Sequence, residues 1–338
     1  MAINKLTTGG GIRRSVALIG GGPAGMSCAL WLKHLGFSPC IIERNAALGG
    51  QLLTLHRLNR WVLGWQGRTS AELAQSYSLH VMGESIPTLY NAHLTAVEKI
   101  QTGFRLTVEE SGQGECSILP VSALVIATGL TVRGIDIFNH SSELDSLYAQ
   151  GLVGCHPLDH LDKLELLSGK TVAVIGGGDN AHFTVKDVAT VAKRTYLLAR
   201  SHPKAQAGIR REVQSLIEQG LVVEYLDTEV DSFRPNQDGM AINLKQSASA
   251  VDSIQVDRVF VRAGFAPNSQ FLDAFNPLTG LDTLNHGYLW TDSCKRTSIE
   301  SVYAIGDVAS PHLQSVVTAI ADGVIAARAI ADDISIRG

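Results

Sequence analysis

A short apolar run ending in spaced glycines occurs twice in this chain, 156 residues apart. Residues 16–25 read VALIGGGPAG and residues 172–181 read VAVIGGGDNA. Each predicts a buried strand, a glycine turn and a helix. Gly20, Gly22 and Gly25 fit G-x-G-x-x-G; Gly176, Gly178 and Ala181 fit G-x-G-x-x-A. The first glycine permits the tight turn, the second lets backbone approach a pyrophosphate, and the third position must be small so that helix packs on strand. Pro23 and Ala24 in the first copy, and Asp179 and Asn180 in the second, then open helices whose free N–H groups face the phosphates. Two such units predict an α/β chain of two Rossmann-like, three-layer dinucleotide-binding domains. The repeat is a duplicated domain type, not a solenoid.

The flanking residues sharpen both sites. In the first copy the second strand ends in Glu43, 23 residues after Gly20, close to the ~20 expected of a carboxylate that binds a ribose hydroxyl pair. Arg44 follows it. In the second copy the corresponding strand ends in Arg200, with Lys204 nearby. An arginine accommodates a 2′-phosphate that an acid would crowd, which favours NADPH over NADH. Gly50, Gln51 and Leu52 read as backbone close to a ligand, Ala127, Thr128 and Gly129 as a small-residue turn after a buried strand, and Gly306 and Asp307 as a strand end before a helix over about 314–333. Four-residue spacing predicts a helix over 70–81, and alternation predicts antiparallel strands within 92–121. Residues 130–168 read as loop-rich. The expected domains are 1–128 with 265–338, and 129–264 inserted between them.

With 338 residues, the chain is long enough for two domains. A net charge of −4 without a charge run argues against nucleic acid or an acidic membrane as partner. No apolar run approaches the ~18–20 residues that span a bilayer. The polar start carries no signal-peptide core, so a cytoplasmic location is expected. Of five cysteines none forms C-x-x-C; Cys28 and Cys40 are expected to be buried. Cys155, His156, Asp159 and His160 match no zinc spacing, so no metal is expected.

Two dinucleotide folds, the first completed by a C-terminal Gly-Asp segment, resemble the two-dinucleotide-binding flavoproteins. Within them the motif order and the Gly49-Gly50-Gln51-Leu52 block resemble the low-molecular-weight thioredoxin reductase family. The resemblance implies FAD on the first fold, NADPH on the second, and a homodimer. It further implies Asp307 on the FAD ribityl chain, and Gln314, Ser315 and Val316 at a helix start facing the flavin pyrimidine edge, where the helix dipole stabilises an anionic reduced flavin.

The departures from that family carry information. Where it has a C-A-T-C-D segment, this chain has Cys155-His156-Pro157-Leu158-Asp159. A leucine cannot attack or leave, so the flavin–dithiol exchange is blocked at Leu158. Cys155 is left as either a lone thiol or a relic, and Asp159 as a proton donor if a swivel brings its loop to the flavin. Of the family's H-R-R-x-x-x-R motif only Arg200 matches squarely; Lys204 lies one position early, with Arg210 and Arg211 nearby. NADPH, NADH or a second flavin, as in the diflavin type, stay open for that site. His56, Trp61 and Trp65 either lie near the flavin or, for the two tryptophans, form a packing pair. The expected activity is an FAD-dependent NAD(P)H oxidoreductase with an unknown acceptor, a small redox protein or a small molecule. The alternatives are a ferredoxin/flavodoxin–NADP reductase, from which the lack of any aromatic after Tyr303 departs, a diflavin-type or nucleotide-independent flavoprotein, and a flavin binder that has lost catalysis.

Overall fold

The computed structural model describes residues 14–55, 57–111, 116–246 and 251–336. The chain divides into two compact units, Met1–Thr131 with Pro267–Gly338, and Val132–Ala266. It crosses between them twice, so the second unit is an insertion in the first.

The first unit is built on five parallel strands in the spatial order Val302–Ala304, Ala123–Ile126, Ser15–Ile19, Ser38–Ile42 and Thr88–Leu89. The central strands read as nearly continuous apolar runs because both faces are covered. Val16, Leu18, Ile41 and Val125 pack with Met26, Leu32, Ala326 and Ile330 on the helical side. Ala17, Ile19, Cys40, Leu124 and Ile126 pack with Phe104, Leu106 and Leu119 on the other. The helical layer contains α1 (Pro23–His34). α2 (Ser70–Gly83) starts at a capping box in which Thr69 and Glu72 satisfy each other's backbone N–H groups. The opposite layer is an antiparallel meander, Ala92–Ile100, Gly103–Glu110 and Cys116–Val121.

The second unit repeats this plan. Its parallel strands run in the order Val222–Tyr225, Arg194–Leu198, Thr171–Ile175, Arg258–Val261 and Val153–Gly154. Residues 130–168, expected to be loop-rich, contain α3 (Ser142–Ala149); Ser141 Oγ accepts from Leu144 N, and Leu144 and Leu147 are buried. α4 (Asp179–Ala189) and α5 (Ala207–Glu218) cover one face, where Val172, Val174, Leu197, Val185 and Val213 meet. The meander Thr228–Asn236, Gly239–Gln246 and Ser253–Val256 covers the other. The last helix, α6 (Val316–Ile336), returns to the first unit and lies on α1. Among the described residues no helix is long and apolar enough to cross a membrane.

Candidate functional site: two glycine turns at helix starts

Each glycine turn is locked by what surrounds it. Gly20 has φ +108°, and a Cβ there would lie 2.4 Å from Ala127 O. A Cβ on Gly25 would lie 2.1 Å from Gly20 O, so only glycine lets α1 sit this close to its strand. Gly22 is different: nothing lies within 4 Å of its Cβ position. It opens α1 without a side-chain cap, with Pro23 at the first turn. Free N–H groups at a helix start facing open space suit a pyrophosphate.

Around this turn the structure gathers the other expected residues of the first unit. Glu43 is buried; its Oε2 accepts from Gly21 N at 2.8 Å and its Oε1 from Asn45 N and Nδ2 at 2.8 and 2.7 Å. Gly50 lies on the turn, its Cβ position 3.3 Å from Gly22 Cα, and Gly49 N donates to Gly21 O. Gln51 Nε2 reaches Leu130 O at 3.0 Å, Leu52 is buried, and Arg44 is exposed. Ala127 borders Gly20, and Thr128 Oγ1 donates to Asn268 O at 2.7 Å. Gly129 has φ +63°. Gln314 Nε2 donates to Ser310 O, Ser315 Oγ accepts from Thr318 N, and Val316 packs with Leu52 and Leu73. The expected helix over about 314–333 thus starts at Val316 with a serine cap.

Gly306 N donates to Asp322 Oδ2 at 3.1 Å. Burial first, and the Asp322 carboxylate second, push the Asp307 carboxyl up to about 6. In the ligand-free chain the folded state therefore holds a proton on Asp307 that the unfolded state releases near pH 4. Stability from this group is full below about pH 4 and is lost as the pH rises through about 6. Asp307→Asn is expected to raise apoprotein stability by about 3 kcal/mol above that range and by almost nothing at about pH 4. Urea midpoints of the two proteins against pH check this; a constant difference would refute it.

In the second unit Gly176 has φ +144° and its Cβ position lies 2.3 Å from Arg262 O. Gly178, like Gly22, faces open space at an uncapped helix start. Asp179 is held by Gln206, whose backbone N and Nε2 donate to its two oxygens at 2.7 and 2.9 Å. Asn180 O accepts from Thr184 Oγ1, and Ala181 is fully buried. The strand ends at Leu198, so Arg200 lies in the loop that follows it, and Lys204 N donates to Gly177 O at 2.8 Å, which draws that loop onto the glycine turn. The side chains of Arg200 and Lys204 are exposed, as are those of Arg210 and Arg211 on α5.

The segment 155–160 holds no dithiol. Leu158 is buried. Cys155 is buried too, and that burial, with the Asp159 and Asp136 carboxylates, pushes its thiol up to about 11. A thiol so placed has almost no thiolate at neutral pH and is a poor nucleophile. Asp159 Oδ1 accepts from Arg262 Nη2 at 2.7 Å. Sequence reading missed Arg262, whose partners are distant in the chain. It also missed Asn45 and Gln206, the residues that orient Glu43 and Asp179. Among the described residues no cluster could hold a metal ion. Cys28 and Cys40 are buried, with thiols pushed well up by desolvation. Trp61 is 75 % exposed, whereas Trp65 is half-buried against Leu52 and Leu73; His56 lies outside the described residues.

Residues 14–323 match the family model for pyridine nucleotide-disulphide oxidoreductases. The chain belongs to that family. The family uses FAD and NAD(P)H, and this member is an FAD-dependent, hydride-transferring oxidoreductase without an internal C-x-x-C acceptor. It is 26 % identical over 319 residues to a glucosaminate ammonia-lyase of Pseudomonas fluorescens, covering 92 % of this chain and 93 % of the relative. It is 25 % identical over 320 residues to the thioredoxin reductase of Mycoplasma genitalium, covering 94 % and 95 %. The fold matches the thioredoxin reductase of Lactococcus lactis with a TM-score of 0.77 at 21 % identity, over 96 % of this chain and all of the other.

Proposed function

We propose that this family member holds FAD on the first unit and NADPH on the second, and delivers electrons to an external acceptor. The observation that carries the reading is the pair of open, uncapped helix starts at Gly22 and Gly178. In the first unit the helix N–H groups and Gly50 would receive a pyrophosphate, Glu43 a ribose, and Asp307 the ribityl hydroxyls. When bound, FAD supplies the redox chemistry, taking a hydride from the nicotinamide and passing electrons on. Leu158 and the buried Cys155 leave no thiol pair in the chain's own 155–160 segment to receive them. In the second unit the exposed Arg200 and Lys204 would face a 2′-phosphate, with Arg210 and Arg211 close in sequence. The hydrogen bond from Lys204 N to Gly177 O, which holds this loop at the glycine turn, supports the reading.

The purified protein is expected to carry one FAD per chain, and NADPH is expected to bleach the flavin absorbance anaerobically at lower concentration than NADH. Arg200→Ala/Lys204→Ala should weaken NADPH about tenfold or more and leave NADH unchanged. Equal use of both nucleotides, unaltered by the double substitution, would remove NADPH from the reading. Two flavins per chain would assign the second site to another occupant.

A further inference from the structure

Between Glu43 and Glu72 the chain has four arginines and no acid, although its net charge is −4. The middle of this stretch is a closed loop. Leu58 bridges Thr69, and Asn59 N donates to Arg68 O at 2.8 Å. The buried Asn59 side chain holds the turn from within: its Oδ1 accepts from Trp61 N and Val62 N, and its Nδ2 donates to Ser70 Oγ. Trp65 Nε1 donates to Thr69 O, and the Arg68 guanidinium lies 4.8 Å from the Trp65 ring centroid. The loop is thus pinned at its neck, and its tip presents Trp61 and a fully exposed Leu63 beside an exposed Arg60. Large apolar side chains held out in water by a rigid loop mark a contact surface. A tryptophan flanked by arginines is the composition that anchors protein interfaces.

The loop's root gives the surface its relevance. Val62 and Trp65 pack in the cluster of Leu52, Leu73 and Val316. Leu52 follows the Gly50-Gln51 block, and Val316 is the first residue of α6; both belong to the proposed FAD site. A partner seated on the tip would therefore lie on the flavin-bearing unit, beside the elements expected to contact the flavin.

We infer that the loop 58–69 docks a small acidic electron-carrier protein, with Trp61 and Leu63 entering an apolar patch on the carrier and Arg60 and Arg68 facing its carboxylates. This rests on the reading that the acceptor is external. The exchange balances as one NADPH plus two oxidised one-electron carriers giving NADP⁺, one proton and two reduced carriers. A lone positive field would also suit an anionic lipid surface. The carrier is favoured because an oxidoreductase without its own dithiol needs a redox partner near the flavin.

The test compares the FAD-loaded wild type with Arg60→Glu/Leu63→Ser, two exposed positions where the changes leave the core untouched. The probes are an acidic plant-type [2Fe–2S] ferredoxin, ferricyanide, and phosphatidylserine vesicles. Oxidised wild type is expected to bind the ferredoxin with an affinity that falls as salt rises. The variant is expected to bind it at least tenfold more weakly and to lose NADPH-driven, ferredoxin-dependent cytochrome c reduction to the same degree. Ferricyanide reduction should stay within twofold. Ferredoxin binding that is absent in wild type, or equal in both proteins, would overturn the inference, as would loop-dependent binding to the vesicles alone. Because binding is read on oxidised enzyme, and ferricyanide reports NADPH oxidation separately, failure of the NADPH reading is told apart from failure of the docking site.

Discussion

Gly323→Ala is expected to destabilise the first unit by about 1–3 kcal/mol, and Gly323→Leu by more. In an isolated helix a glycine-to-alanine change gains about 1 kcal/mol, so the sign itself is the test. The reason is the crossing of α6 on α1. A Cβ on Gly323 would lie 2.6 Å from Ala24 O, 2.7 Å from Cys28 N and 3.0 Å from Ser27 Cβ. Two of these atoms are backbone and cannot turn aside. The same crossing is fastened by Ser27 Oγ donating to Ile320 O at 2.8 Å. To admit a side chain, α6 must lift from α1. α1 carries the open helix start at Gly22, and α6 carries Asp322, which accepts from Gly306 N beside Asp307. Flavin content should therefore fall together with stability. Urea midpoints and the flavin-to-protein ratio of both variants check this. An alanine variant as stable as wild type, or more so, would show that the helices do not meet at Gly323.

Much of the fold was legible because its strongest signals are local. A positive-φ glycine after an apolar strand, as at Gly20 and Gly176, has few other uses, and strands buried on both faces declare themselves as unbroken apolar runs. Glu43 was legible for the same reason, since its position is fixed by counting along one βαβ unit. What held it in place was less so: Asn45 is adjacent in sequence but carries no motif. α3 was missed because eight residues give barely two turns of periodicity, and its clearest mark is the single cap at Ser141. Trp61 and Trp65 have helical spacing, yet Gly64 and Gly67, at φ +81° and +76°, turn the chain between and after them into a closed loop. Gly323 read as an ordinary helix residue because the surface it meets belongs to a segment about 300 residues earlier. Arg262 was invisible on the same ground, its partners Asp159 and Thr184 lying far back in the chain.

Arg262→Met should cost the second unit about 3–5 kcal/mol, the range for removing one partner of a buried ion pair. The Arg262 side chain is 1 % exposed. Its Nη2 donates to Asp159 Oδ1 at 2.7 Å and lies 3.3 Å from His160 Nδ1; its Nε donates to Thr184 Oγ1 at 2.9 Å and its Nη1 to Val261 O at 3.0 Å. His160, fully buried, continues the chain of contacts to Asp187 Oδ2 at 3.0 Å. Burial lowers the Arg262 pKa, with Asp159 opposing that effect, so the charge is maintained by its partners. Methionine fills similar space without donors, leaving Asp159 and Thr184 to find water. Removing both charges, as Arg262→Met/Asp159→Leu, should cost clearly less than the sum of the two single changes, because a buried pair owes much of its apparent strength to the penalty on whichever charge is left behind. Urea unfolding of the four proteins closes the cycle. A single Arg262→Met loss below about 1 kcal/mol, or strict additivity, would show that the pair is solvated. The consequence for function follows from position. Residues 155–160, the segment compared above with a C-A-T-C-D motif by resemblance, are tied through Asp159 to Arg262 at the end of the Arg258–Val261 strand. Within that segment Cys155 is kept protonated chiefly by its burial, against the opposing charge of Arg262, so on the proposed function the electrons go to an acceptor outside it.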